Sequence, residues 1–133
     1  MSETLPKMDP KDINWSSLGF GYMPTNSYVR TTWQDGKWSE PVLIKEPTIT
    51  MSIAATCLHY GQAAFEGLKA FRQKDGKVRC LRPWENVKRM NLAADYMLAP
   101  AIPEELYIHM IQMVVKDNIE YVPPYGTGGA LYI

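Results

Sequence analysis

Residues 68–97 read LKAFRQKDGKVRCLRPWENVKRMNLAADYM, and the fold is decided there. Leu68 to Phe71 and Lys77 to Leu81 flank Lys74-Asp75-Gly76. An Asp-Gly pair between two apolar segments marks a β-hairpin, because glycine accepts the positive φ of a tight turn without steric penalty. Arg82-Pro83-Trp84-Glu85 then opens a helix. Proline is pre-set for the first helical position, where its missing N–H costs nothing, and a glutamate in the first turn faces the positive end of the helix dipole. Val87, Met90, Ala94 and Met97 recur at helical spacing, so one face of that helix is apolar.

The same grammar extends outward in both directions. Upstream, Ser27 to Trp33 and Trp38 to Ile44 flank Gln34-Asp35-Gly36-Lys37 and predict a first hairpin. Glu46 to Ser52 alternates Ile49 and Met51 with Thr48 and Thr50, the pattern of a half-buried strand. His59 to Glu66 predicts a short helix that ends near Gly67. Downstream, Pro103-Glu104-Glu105 starts a second long helix with a stripe of Leu106, Met110, Met113 and Val114, ending near Asn118. Gly126-Thr127-Gly128-Gly129 is a loop without the spacing or the following Lys-Ser/Thr of a phosphate loop, and Ala130 to Ile133 begins a strand. Two hairpins, further strands and two amphipathic helices predict an α+β two-layer sandwich, an antiparallel sheet with helices on one face. Residues 1–14 are polar and contain Pro6 and Pro10, an arm that stays loose unless it packs on something, so residues 15–133 are expected to form the domain.

Bulk properties exclude several classes. At 133 residues and 46% hydrophobic, the chain builds one domain with a core. Fourteen basic residues balance fourteen acidic ones, and no basic stripe fits a nucleic-acid backbone. No apolar run approaches the about 18 residues that span a bilayer, so a cytoplasmic protein with no membrane partner is expected. Cys57 and Cys80 lack CxxC spacing and a histidine cluster, which argues against a metal or disulfide framework. His109 has no cysteine or second histidine at i±4 and reads as structural, as does His59 beside its turn. The apolar run at 130–133 predicts that the protein continues beyond it.

Five segments together carry a family resemblance. They are Leu18-Gly19-Phe20-Gly21-Tyr22, the hairpin Trp33 to Trp38, Leu58-His59-Tyr60-Gly61-Gln62 with Phe65 to Phe71, Arg82-Pro83-Trp84-Glu85-Asn86 with Lys88-Arg89-Met90, and Val122 to Gly126 leading to Leu131-Tyr132. In this order and spacing the chain resembles the N-terminal small domain of branched-chain amino-acid aminotransferases, fold-type-IV enzymes that use pyridoxal 5'-phosphate. The LHYGxxxFEGLKAF segment is shared in looser form with D-amino-acid aminotransferases and aminodeoxychorismate lyases, which remain the alternatives within that fold type. A free-standing binding or dimerisation domain without chemistry is the alternative outside it.

The resemblance implies an α+β domain and exchange of amino groups between leucine, isoleucine or valine and 2-oxoglutarate, giving 2-oxo acids and glutamate. Arg89 resembles the arginine that binds the cofactor phosphate, a role suited to a guanidinium with paired N–H donors. Phe20, Tyr60, Phe65 and Tyr132 resemble the aromatic wall of the substrate pocket, and the residue matching Tyr60 reaches the opposite subunit's site, which implies a homodimer. Ala93 stands where some relatives have serine. No catalytic residue is assigned: none of the lysines stands in the context of the family's cofactor-linking lysine, which belongs to the large domain, and Lys69 reads as a sheet-edge residue. This chain alone is therefore expected to be inactive, and its pocket-wall surface to favour association.

Overall fold

The computed structural model describes residues 5–133. Its strands are β1 (Tyr28–Arg30), β2 (Trp33–Gln34), β3 (Lys37–Trp38), β4 (Val42–Ile44), β5 (Lys69–Arg72), β6 (Val78–Cys80) and β7 (Leu131–Tyr132). The helices are α1 (Thr56–His59), α2 (Pro83–Tyr96) and α3 (Glu104–Asp117), with single 3-10 turns at Pro10–Asp12, Trp15–Ser17 and Ile119–Tyr121. This is the expected α+β arrangement of antiparallel strands and packed helices, with the strands divided into three short ladders.

Both hairpins form where the Asp-Gly pairs stand, by two different turns. In the first, Asp35 and Gly36 have φ of 52° and 78°, both positive as a two-residue primed turn requires. Trp33 faces Trp38 across it, their rings 5.4 Å apart at 64°. Trp38 Nε1 donates to Ala101 O at 3.0 Å, which ties the hairpin to the segment before α3. The ladder resumes as β1 against β4, Val29 opposite Leu43. In the second hairpin the Gly76 N–H donates to Gln73 O at 2.9 Å and the Gln73 N–H to Lys77 O at 2.8 Å. Gly76 at φ 78° supplies the left-handed residue that closes this longer loop.

Two expectations are corrected. Glu46 to Ser52 forms no strand: Ile49 and Met51 are exposed, Pro47 removes a backbone donor, and among the described residues no strand pairs with it. Alternation alone does not make a strand without an edge to pair with. The short helix lies at Thr56–His59 rather than His59 to Glu66. Gly61 follows the Tyr60 cap at φ 65°, the left-handed position that ends helices, so the stop is six residues earlier than Gly67. His59 Nε2 lies against Ile53 O, closing that turn from within.

The two long helices begin at Pro83 and just after Pro103, as the proline signals indicate. Val87 and Ala94 of α2 and Ile111 of α3 are buried, while Leu106, Met110, Met113 and Val114 are half-buried around Ile111. Asn91 clamps the connection between the helices, its Nδ2 donating to Ile102 O and its Oδ1 accepting from the Ile102 N–H, both at 2.9 Å. At the end of α2 the Ala99 N–H donates to Ala94 O at 2.8 Å and the Leu98 N–H to Asp95 O at 3.1 Å. This paired closure places Leu98 in the left-handed region at φ 54°, where glycine is favoured.

Asn118, which caps α3, is 1% exposed and fully bonded. Its Oδ1 accepts from the Asn26 and Ser27 N–H groups at 2.7 and 3.2 Å. Its Nδ2 donates to Ser27 O at 3.0 Å and Val114 O at 2.8 Å. Tyr121, Val122 and Pro123 complete the buried centre beside it, and Tyr121 Oη donates to Met8 O at 2.9 Å while Ile13 is buried, which seats residues 8–13 on the body.

Asn118→Ala is expected to lower unfolding free energy by about 3 kcal/mol, since it strands buried backbone groups on two segments. The check is a lower urea midpoint at unchanged slope. Leu98→Gly should act in the opposite sense. Its side chain is 94% exposed, so little packing is lost when the left-handed strain is relieved, and a gain of about 1 kcal/mol is expected in the same titration.

Candidate active site

The site is organised by Glu66-Gly67, the residues that lead into β5. Along β5, Leu68 and Ala70 are buried while Lys69 and Phe71 are exposed, so alternate side chains face the core and open space. β7 pairs with β5 antiparallel, Lys69 opposite Tyr132 and Ala70 opposite Leu131. The Leu68 N–H to Ile133 O and Ile133 N–H to Leu68 O bonds, at 2.9 and 2.8 Å, extend the ladder towards Gly67. Tyr132 therefore stands on the uncovered face with Lys69 and reaches diagonally over Gly67.

Glu66 turns the other way, towards α2. Its side chain is only 8% exposed and accepts four donors: Arg89 Nε at 2.9 Å, Arg89 Nη2, the Gly67 N–H at 3.0 Å and Asn86 Nδ2 at 3.1 Å. Asn86, itself buried, also donates to Gly67 O at 3.0 Å, fixing the backbone of the corner to the helix. The Arg89 guanidinium beside Glu66 holds its carboxyl below the usual glutamate range, aided by the Gly67 N–H and Asn86 and opposed by burial. Arg89 in turn is raised by the same carboxylate. The Tyr107 phenol is pushed up, by burial first and then by the negative charge of Glu66.

Arg89 remains 64% exposed despite this pairing. Two of its nitrogens are committed to Glu66, and Nη1 carries no hydrogen bond among the described residues. The guanidinium borders an open depression of about 350 Å³ lined also by Leu81, Arg82, Glu85 and Asn86. The donor set is a permanently charged planar group, held by a buried carboxylate, with a free N–H edge that could hold an anion. Lys88 pairs with Glu85 at 3.0 Å on the outer side of the helix.

Among the residues proposed from sequence, Arg89 and Tyr132 are brought to the two sides of the same dipeptide. Phe20, Tyr60 and Phe65 are exposed and lie outside the strands, and no ring pairing joins them to Tyr132 among the described residues. The segment carrying Phe20 does approach the loop before β7: a Cβ on Gly129 would lie 3.6 Å from Leu18 Cδ1 and 3.0 Å from Pro123 Cγ. Glu66 and Asn86 escaped the sequence reading. Asn86 carried a usable signal, since it shares the helical stripe of Met90, Ala94 and Met97, and a polar residue on an apolar stripe needs a buried partner. Lys69 is exposed on β5, opposite Tyr132, and because β5 is the middle strand between β6 and β7 it is not the sheet-edge residue expected. Among the described residues no cluster of potential metal ligands occurs and no helix is long and apolar enough to cross a membrane.

No family model matches the chain. Curated relatives do. A branched-chain-amino-acid aminotransferase of Haemophilus influenzae is 44% identical over 123 residues, 92% of this chain and 36% of the relative. One of Helicobacter pylori is 38% identical over the same shares. A branched-chain amino acid aminotransferase of Glarea lozoyensis is 36% identical over 135 residues, covering 100% of this chain and 38% of the relative. By sequence kinship the chain is similar to aminotransferases. Over almost its whole length it is similar to branched-chain-amino-acid aminotransferases, and it spans a little over a third of the length of the curated relatives it matches.

Because the folded pKa of Glu66 lies below the ordinary value of 4.5, its ionised form stabilises the fold at pH above that value. The contribution is lost as pH falls through the folded pKa. Glu66→Gln should therefore lower stability at pH 7 by about 1 kcal/mol and flatten, without abolishing, the acid limb of stability against pH. Denaturant midpoints from pH 7 down to pH 3 measure both effects.

Proposed function

We propose that this chain is the cofactor-phosphate and pocket-wall domain of a branched-chain amino-acid transaminase, which exchanges amino groups between leucine, isoleucine or valine and 2-oxoglutarate. Residues 15–133 form its small N-terminal domain, and a large domain carries the lysine that links the cofactor. The observation that carries the reading is the Arg89–Glu66 pair, a guanidinium fixed by a buried carboxylate with an edge left open. Pyridoxal phosphate, when bound, supplies the electron sink for amino-group exchange. The residues of this chain bind and shape.

Arg89 offers Nη1 and its exposed edge to the phosphate, where a charge-assisted hydrogen bond is about twice as strong as a neutral one. Glu66 and Asn86 keep that edge from swinging into solvent. Phe20, Tyr60, Phe65 and Tyr132 wall the side-chain pocket and exclude water from it. Burying a branched aliphatic side chain against such a wall is worth about 25 cal/mol per Å², and the wall brings no cation to attract an acidic side chain. The chain exposes 9947 Å², against about 7,100 Å² for a folded monomer of its mass by the usual scaling. That excess supports a large domain and a second subunit as neighbours, with Tyr60 beside the partner's site in a cytoplasmic homodimer.

In the full-length protein, L-leucine should be transaminated with 2-oxoglutarate, and D-alanine and aminodeoxychorismate should not serve. Arg89→Ala should weaken pyridoxal phosphate binding by about tenfold or more, with Arg89→Lys intermediate because an ammonium offers charge without the planar fork. Fluorescence titration of the cofactor measures this. The 133-residue chain alone should yield no borohydride-fixed cofactor on any single lysine in a mass spectrum.

A further inference from the structure

Gly67 is a glycine for lack of room. Its φ is not among the positive ones, which belong to Gly36, Gly61, Gly76, Gly126 and Gly128, so an L side chain meets no backbone strain there. What it would meet is Tyr132. A Cβ on Gly67 would stand 2.8 Å from Tyr132 Oη, 3.3 Å from Cε2 and 3.4 Å from Cζ. The first distance is below any real carbon contact, so the ring lies down on the sheet only because this carbon is missing. Ordinary alanine, the smallest change available, would already lift it.

The corner cannot yield instead. The Gly67 N–H is bonded to Glu66 and its carbonyl to Asn86 Nδ2, and Leu68 is buried and paired on both its backbone groups with Ile133. Tyr132 is the free partner: 64% exposed, with open space above it on the uncovered face. An added Cβ is therefore accommodated by the ring rising off the sheet, with little cost to the fold.

We infer that Gly67 is a specificity-determining positioning residue, whose missing side chain sets the height of the Tyr132 ring and through it the depth of the pocket for a branched aliphatic side chain. The inference rests on the reading of Tyr132 as pocket wall. A raised ring shortens the pocket, so longer side chains suffer more than shorter ones.

The test uses the full-length protein, with four versions: the parent, Gly67→Ala, Tyr132→Phe and the double substitution. Ring position is read by fluorine NMR of fluorotyrosine-labelled protein, with Tyr132→Phe assigning the resonance, and selectivity by the ratio of kcat/KM for L-leucine to that for L-valine. Gly67→Ala should move the Tyr132 resonance, leave the unfolding temperature nearly unchanged, and lower the leucine-to-valine ratio by about tenfold, the low end of the range for one methylene in an apolar pocket. Adding Tyr132→Phe removes the 2.8 Å clash and should restore most of the ratio, a coupling that two independent structural defects would not show. An unmoved resonance overturns the inference whatever the activity. A moved resonance with an unchanged ratio, or a double variant no better than Gly67→Ala, overturns the selectivity role. A parent protein that transaminates no branched-chain amino acid overturns the pocket-wall reading itself, and the selectivity role falls with it.

Discussion

The buried amide of Asn118 is the contact on which the rest of the arrangement depends. It caps α3, and it accepts from and donates to the backbone at Asn26 and Ser27, more than ninety residues earlier in the chain. Ser27 Oγ adds a bond to Asp117 Oδ2 at 2.6 Å, and Asn26 Nδ2 one to Asp117 O at 2.7 Å. A short strand ribbon is marginal by itself in water. The first hairpin is held because one side chain does for it what a neighbouring strand would do, satisfying both N–H groups and a carbonyl at the entrance to β1. The same contact holds the C-terminal end of α3 and the turn after it, where Tyr121, Val122 and Pro123 fill the core.

From that centre the path to the site is short. Arg72 Nη2 donates to Ile119 O at 2.8 Å, so the far end of β5 is tied to the turn that follows Asn118. The near end of β5 is tied to α2 through Glu66 and Asn86. Pinned at both ends, β5 presents its alternation rigidly: Glu66 inward under the helix, Gly67 outward under Tyr132. One dipeptide thus sets both the bearing of a charged donor and the seat of an aromatic ring. Neither is on a long or mobile support, which is the condition for holding a site to within a fraction of an ångström.

What the sequence made legible divides along the same line. Local signals worked: Asp35-Gly36 and Asp75-Gly76 made hairpins, Pro83 and Pro103 opened helices, and each of these depends on residues a few positions apart. Failures arose where the outcome depended on a distant partner or on two competing local signals. Glu46 to Ser52 had the alternation of a strand and no edge to join. The short helix had two glycines that could end it, and the earlier one, Gly61, won because it follows directly on the helix and accepts positive φ. Arg89 was visible through the motif around it, whereas Glu66, its partner across 23 positions, was not. The roles of Asn86, Asn91 and Asn118 were equally hidden, because an asparagine that bonds to remote backbone looks in sequence like any polar surface residue.

The exposure of Phe20, Tyr60, Phe65 and Tyr132 follows from how the domain distributes its apolar surface. Ala70 and Leu68 close the inner face of β5, and the helices and the 119–123 segment use up the buried area that the chain has to offer. The four aromatic rings lie outside that core and are 64% to 106% exposed among the described residues. In the role proposed for them, as a pocket wall for an aliphatic side chain, the rings have to be apolar, rigid and open on the side where the ligand enters. Those three requirements conflict with stability in an isolated domain and agree once other protein surfaces close over the wall. The exposed rings and the firmly bonded corner beneath Tyr132 are thus two sides of one compromise: the support is buried and fully satisfied so that the surface it carries need not be.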